Sequence, residues 1–110
     1  MQTLLQISFI MGILYTVLGI PLWLRRVGPN AAYGFRTAKT LSSPEIWYEV
    51  NALAGKLMTL FGIGFLAAAA ALYWGKPTLP ENMETALTIL LIGLVFLPVV
   101  LSYLFYRARF

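Results

Sequence analysis

Three stretches of this chain carry no charged side chain: Met1–Leu24, Leu57–Trp74 and Thr85–Tyr106. A helix needs about 20 apolar residues to cross a hydrocarbon core of about 30 Å. Each stretch meets that length. The pattern predicts three transmembrane helices, over 3–24, 57–75 and 85–106, in a single membrane domain covering 1–110. Between the first two lies the one sizeable polar segment, 25–56. The fold class expected is an all-α membrane protein, with a cytoplasmic amphipathic helix and loop between the first and second spans.

The details of each span sharpen this picture. Gln2 and Gln6 stand where a secretory signal would carry basic residues, so the first run reads as a retained helix. Ser8, Gly12 and Thr16 recur every four residues, with Gly19 close by, a spacing that lets another helix approach. Pro21 is expected to kink or end the last turn. Trp23, Arg25 and Arg26 mark the membrane interface. In the second span Gly62, Gly64 and Ala67–Ala71 give a slim body, and Tyr73 and Trp74 mark its far end. In the third, Gly93 and Pro98 predict an interruption, with Pro98 freeing the Leu94 carbonyl. Tyr103 and Tyr106 belong to an aromatic belt, followed by Arg107 and Arg109.

The polar segment opens on a turn signal, Gly28-Pro29-Asn30. The loop continues through Tyr33-Gly34-Phe35-Arg36-Thr37 and ends at Leu41. Gly34 suggests a backbone position that needs positive φ or close approach. Ser43 is the expected N-cap of the next helix, with Pro44 at its first position and Glu45 in its first turn. Ile46, Val50, Leu53 and Leu57 form an apolar stripe, while Glu45, Glu49, Ala52 and Lys56 lie opposite. Trp47, Asn51 and Gly55 fall on the border. This helix either lies in the interface or runs directly into the second span, with Gly55 as a bend.

Composition narrows the chemistry. The chain is 60% hydrophobic and 11% charged, against about 25% charged in an ordinary soluble domain. It has no cysteine and no histidine, which removes disulfides, thiolate sites and the commonest general base. No nucleophile–base pair or metal constellation is visible, so neither an enzyme nor a cofactor is expected. The net charge of +4 raises nucleic acid as a partner. The cations sit at the ends of apolar runs, however, where membrane anchoring explains them. Arg25, Arg26, Arg36, Lys39, Lys56, Arg107 and Arg109 fall in the first loop and the C-terminus, against Lys76 in the second loop. The positive-inside rule then puts the first loop and the C-terminus in the cytoplasm and the N-terminus outside.

Several side chains in the polar segment admit two readings. Arg36 and Lys39, with Thr37 and Thr40, could bind a phosphate, or they anchor the chain beside the membrane. Glu45 and Glu49 could pair for a divalent ion, or form a solvated face paired with Arg36 or Lys39. Trp47 is a recognition anchor or an interfacial belt residue. Asn51 binds a ligand or caps a neighbouring loop through its backbone. Asn30, Arg36, Thr37, Trp47 and Asn51 are expected to converge.

Taken together, Pro29-Asn30, Tyr33-Gly34-Phe35-Arg36-Thr37, Thr40-Leu41-Ser42, Trp47, Asn51 and Gly55-Lys56 resemble the SdpI family of small bacterial membrane proteins. Its pattern runs roughly Pro-Asn, then Gly, one of Tyr, Phe or Ile, and Arg-Thr, a Leu-Ser step, a Trp, and an Asn or His before Gly-Lys or Gly-Arg. The resemblance implies a multi-pass protein of the bacterial inner membrane. The family's founding member is an immunity protein that protects a toxin-producing cell from its own secreted sporulation-delay toxin. It also sequesters a transcriptional repressor at the membrane, and it carries additional spans. Partners implied here are membrane lipids, a peptide toxin and a cytoplasmic regulator. Two other readings stand beside this one. One is an assembly subunit or homo-oligomer that packs through Ser8, Gly12, Thr16, Gly62 and Gly64. The other is an anionic-lipid or phosphate binder that uses Arg36.

Overall fold

The computed structural model describes residues 2–110. Four helices follow in order: α1 Gln2–Trp23, α2 Ala38–Ser42, α3 Pro44–Gly75 and α4 Glu81–Arg109. Three of them are long and apolar enough to cross a membrane. α3 has 32 residues, which at 1.5 Å per residue is about 48 Å and exceeds a bilayer core. The amphipathic segment expected after Ser43 is therefore the first part of α3. It runs straight into the second span, with no break at Gly55. Pro44 takes the first position, but the Ser43 side chain makes no capping bond.

α1 and α3 form the body of the molecule. They run antiparallel and in close contact. Gly12, Thr16 and Gly19 of α1 recur in α3 as Gly55, Thr59 and Gly62, at the same spacing. In each helix the threonine donates its hydroxyl back to its own glycine carbonyl. Thr16 Oγ1 lies 2.7 Å from the Gly12 oxygen, and Thr59 Oγ1 lies 2.8 Å from the Gly55 oxygen. Gly19 faces Thr59 and the Gly55 carbonyl, while Gly62 faces Thr16 and the Gly12 carbonyl. Exchanging the two helices about a local two-fold axis preserves these contacts. Burial follows the same correspondence. Leu4, Ser8, Gly12, Gly19 and Leu22 are buried in α1, and their counterparts Trp47, Asn51, Gly55, Gly62 and Phe65 are buried in α3. The pair is an inverted repeat, the arrangement expected of two similar spans that cross a bilayer in opposite directions.

Small residues explain the close approach, because lipid tails leave van der Waals packing as the main force between spans. A Cβ on Gly19 would fall 2.6 Å from Thr59 Oγ1, and one on Gly62 would fall 2.5 Å from Thr16 Oγ1. Gly64 and Gly93, by contrast, face open space. The face expected to bind a partner through Ser8, Gly12, Thr16 and Gly62 is thus consumed inside the chain, and Gly64 is not part of it.

α4 lies against this pair over the half away from the polar loop. Leu4, Phe65 and Leu91 form the buried centre there, with Ile7, Met11, Tyr15, Phe61, Leu94 and Val95 around them. α4 is continuous through Gly93 and Pro98, so the expected interruption does not break it. Pro98 has no N–H to close on Leu94. In the same turn, Tyr15 of α1 donates its hydroxyl to the Val95 carbonyl. α1 likewise continues past Pro21 and ends in a left-handed cap at Arg25, with φ 58°. Arg26 N–H bonds to the Pro21 carbonyl and Arg25 N–H to the Leu22 carbonyl, the two bonds of a Schellman motif.

The repeat predicts matched sensitivities. Gly19→Ala and Gly62→Ala should each destabilise the protein by about 1–3 kcal/mol through overpacking. Gly64→Ala should stay within about 0.5 kcal/mol. Thermal unfolding in a mild detergent, followed by circular dichroism, measures this. Equal losses for Gly62→Ala and Gly64→Ala would contradict the packing.

Candidate functional site

The polar segment folds as a loop that wraps the start of α3, and Asn51 ties the two together. Its Oδ1 accepts from the Phe35 N–H at 2.6 Å, and its Nδ2 donates to the Phe35 carbonyl at 3.2 Å. One carboxamide thus satisfies both backbone groups of a single loop residue, as a neighbouring β-strand would. The same Nδ2 lies 3.0 Å from the Trp47 carbonyl, one turn back in its own helix. Asn51 is 1% exposed, so each of these bonds replaces water that cannot reach it.

Trp47 completes the contact. It is fully buried, and its Nε1 donates to the Val27 carbonyl at 2.8 Å. Gly34 passes directly over the indole and the amide, with φ at +119°. A Cβ there would lie 2.8 Å from Asn51 Oδ1 and 2.9 Å from Trp47 Cη2. Both the backbone angle and the space therefore require glycine.

Asn30 organises the turn before it. Its Oδ1 accepts from the N–H groups of Ala32 and Tyr33, at 2.9 and 2.7 Å. Its Nδ2 donates to the carbonyls of Gly28 and Tyr33, each at 2.9 Å. Tyr33 donates its hydroxyl to the Leu18 carbonyl of α1. Burial pushes the Tyr33 phenol above its usual pKa, so the hydroxyl remains a donor throughout the neutral range. The loop then enters α2, a short helix absent from the sequence reading. Thr37 caps it, and Thr37 and Thr40 form a reciprocal capping box. The usual signal has Glu or Gln at the third position. Threonine there hid the helix. Thr40 is fully buried, and its Oγ1 reaches the Thr37 N–H at 2.7 Å and the Phe35 carbonyl at 3.2 Å. Neither threonine is arranged to hold a phosphate.

The same region binds the C-terminal end of α4. Phe35 packs on Tyr106 with ring centroids 5.4 Å apart. Thr37 Oγ1 lies 3.1 Å from the Tyr106 hydroxyl. Lys39 donates to the Phe110 carbonyl, and Arg109 pairs with Glu49 at 3.0 Å. Glu49 therefore pairs with neither Arg36 nor Lys39.

The structure brings Asn30, Tyr33, Gly34, Thr37, Trp47 and Asn51 into one connected network. Gly55 lies one turn further on, where its missing side chain admits α1: a Cβ would fall 2.6 Å from the Gly19 carbonyl. Three residues stand apart. Ser42 is exposed and bonds only to the Lys39 carbonyl, at 2.6 Å. Lys56 is exposed on the opposite face. Arg36 is exposed, and among the described residues no hydrogen bond or ion pair holds it. It does not join Trp47 and Asn51, contrary to the expected convergence. The amides reach the loop backbone and leave the guanidinium outside. Trp47 and Asn51 also sit nearer the centre of the buried face than the apolar stripe implied, because the loop covers that side. Ile46, Leu53 and Leu57 are only half-buried.

Below the loop, a cleft of about 220 Å³ is bounded by Leu18 and Leu22 of α1, Ala54 and Met58 of α3, Pro98, Val99 and Ser102 of α4, and the Tyr33–Phe35 backbone as its roof. The site as a whole is a structural clamp with a basic outer surface.

Asn51→Ala should cost about 1–3 kcal/mol, since it strands the buried Phe35 N–H and leaves the Phe35 carbonyl only the Thr40 hydroxyl. Gly34→Ala should cost about 1–3 kcal/mol through strain. Arg36→Ala should change stability by no more than about 0.5 kcal/mol. Melting temperatures of the three purified variants decide this, and an Arg36→Ala loss matching that of Asn51→Ala would contradict the clamp.

No curated protein and no solved structure matches the chain. The family model described as the SdpI/YfhL protein family matches residues 26–106. That range contains the loop, α2, α3 and nearly all of α4, so the residues of the clamp fall within it, and the chain belongs to the SdpI/YfhL protein family.

Proposed function

We propose that this membrane protein is an immunity module of the SdpI type, which binds a secreted peptide toxin within the bacterial inner membrane and neutralises it. The loop and the C-terminus face the cytoplasm in this reading, and the N-terminus faces outside. Family membership over residues 26–106 supports it. So does the charge distribution, with Lys76 the lone cation of the second loop.

The observation that carries the reading is how the motif uses its polar groups. Asn30, Tyr33, Thr37, Trp47 and Asn51 are all engaged with the chain itself. A site that performs chemistry keeps reactive groups free for substrate. This one spends them on rigidity and leaves the cations Arg36 and Lys56 outside. Such a surface suits recognition: a fixed scaffold that presents charge to a cytoplasmic regulator, beneath spans that meet a peptide in the bilayer.

Expression in a toxin-sensitive strain tests the reading. The protein should protect against a peptide encoded beside its own gene. In the same cells, Arg36→Cys in this otherwise cysteine-free chain should react with a membrane-impermeant maleimide only after the cells are opened. Unchanged killing by every candidate peptide would overturn the immunity role, and labelling of intact cells would overturn the orientation.

A further inference from the structure

We propose that the cleft beneath the loop is a binding site for an anionic phospholipid, with one acyl chain in the cleft and the phosphate at its basic rim. This goes beyond the immunity reading and does not depend on it.

The cleft lies between the buried centre of Leu4, Phe65 and Leu91 and the contacts of Phe35 and Thr37 with Tyr106. Leu18 and Leu22 on one side and Pro98, Val99 and Ser102 on the other bound a volume of about 220 Å³, and Leu22, Pro98 and Ser102 are themselves buried. Leu18 and Val99 are 40% and 54% exposed, so the cleft opens sideways between α1 and α4. Leu18 and Val99 both belong to helices long and apolar enough to cross a membrane.

The polar side chains at its wall are already satisfied. Ser102 donates to the Pro98 carbonyl at 2.7 Å, and the Tyr33 hydroxyl is held by Leu18. Asn51, just behind the roof, is spent on Phe35 and Trp47. The interior therefore offers an occupant mainly apolar contact, which favours a hydrocarbon chain over a peptide backbone.

The rim has the opposite character. Arg36 directly follows Phe35 of the roof, Arg25 and Arg26 follow the end of α1, and Arg107 lies beyond Ser102 on α4. All four are exposed, and none has an ion-pair partner among the described residues. The cations that do have partners, Lys39 and Arg109, are tied to the α4 terminus and to Glu49. A largely apolar slot, with exposed arginines close in sequence to its lining residues, matches a molecule with a hydrocarbon tail and an anionic head. In a bilayer that molecule is an anionic phospholipid.

Native mass spectrometry tests this on the full chain purified from mixed vesicles of phosphatidylglycerol and phosphatidylcholine. The protein should retain phosphatidylglycerol in preference to phosphatidylcholine. Arg36→Gln should reduce that preference about fivefold, the weight of one basic residue near an anionic surface, while still retaining a lipid. Val99→Trp, which fills the cleft from its exposed side, should remove the retained lipid altogether. Leu18→Trp fills it from α1 and serves as the second variant if Val99→Trp fails to fold. Equal retention of the two lipids would overturn the proposal. So would undiminished retention in a folded cleft-filling variant, or a peptide in place of the lipid.

Discussion

A helix that packs against an irregular loop must satisfy the backbone of that loop without help from water. Asn51 meets this requirement with one side chain. It offers an acceptor and a donor to the two backbone groups of Phe35, and no charged residue could supply both from a buried position at comparable cost. The remaining motif features follow from that contact. Gly34 is needed because a side chain would collide with the amide. Trp47 fills the space beside it and holds Val27. Thr40 reaches the same Phe35 carbonyl from α2, which fixes α2 against α3.

This clamp sits on an inverted repeat, and the two features divide the work. Between α1 and α3, glycine and threonine at matching positions bring the backbones together. Toward the ends the two copies diverge. Leu4 and Ser8 of α1 serve local packing, with Ser8 bonding back to Leu4 at 2.8 Å. Their counterparts in α3, Trp47 and Asn51, are larger and hydrogen-bond across to the loop. The same buried face thus packs a helix at one end of the molecule and anchors a loop at the other. The matched family range begins after α1, yet α1 repeats the pattern of α3 and closes its face.

Much of this was legible in the sequence. Charge-free runs located the spans, since a bilayer tolerates few unpaired charges at that length. Small-residue spacing marked the contact face of α1. Pro29-Asn30 and Gly34 announced special backbone, and Asn51 stood out as an amide on a largely apolar helix. The misses have physical causes. α2 escaped because its capping box uses Thr40 in place of Glu or Gln. Trp47 and Asn51 lie nearer the buried centre than periodicity implies, because the loop covers that side of α3 and no helix-period pattern encodes a covering loop. Arg36 was grouped with the amides because its place in the motif says nothing about which way the guanidinium turns. The pairing of Glu49 with Arg109 depends on α4 returning to the loop, and no local pattern encodes that.

The functional consequence is a separation between scaffold and surface. Asn30, Tyr33, Thr37, Trp47 and Asn51 hold the three long helices in register, while Arg36 and Lys56 stay exposed on the outside. Amide hydrogen exchange in a detergent micelle tests the central contact most directly. Phe35 lies in a loop, yet its N–H is held by Asn51, so it should exchange as slowly as the amides of the neighbouring part of α3. Exchange as fast as that of an open loop would show that the clamp does not hold.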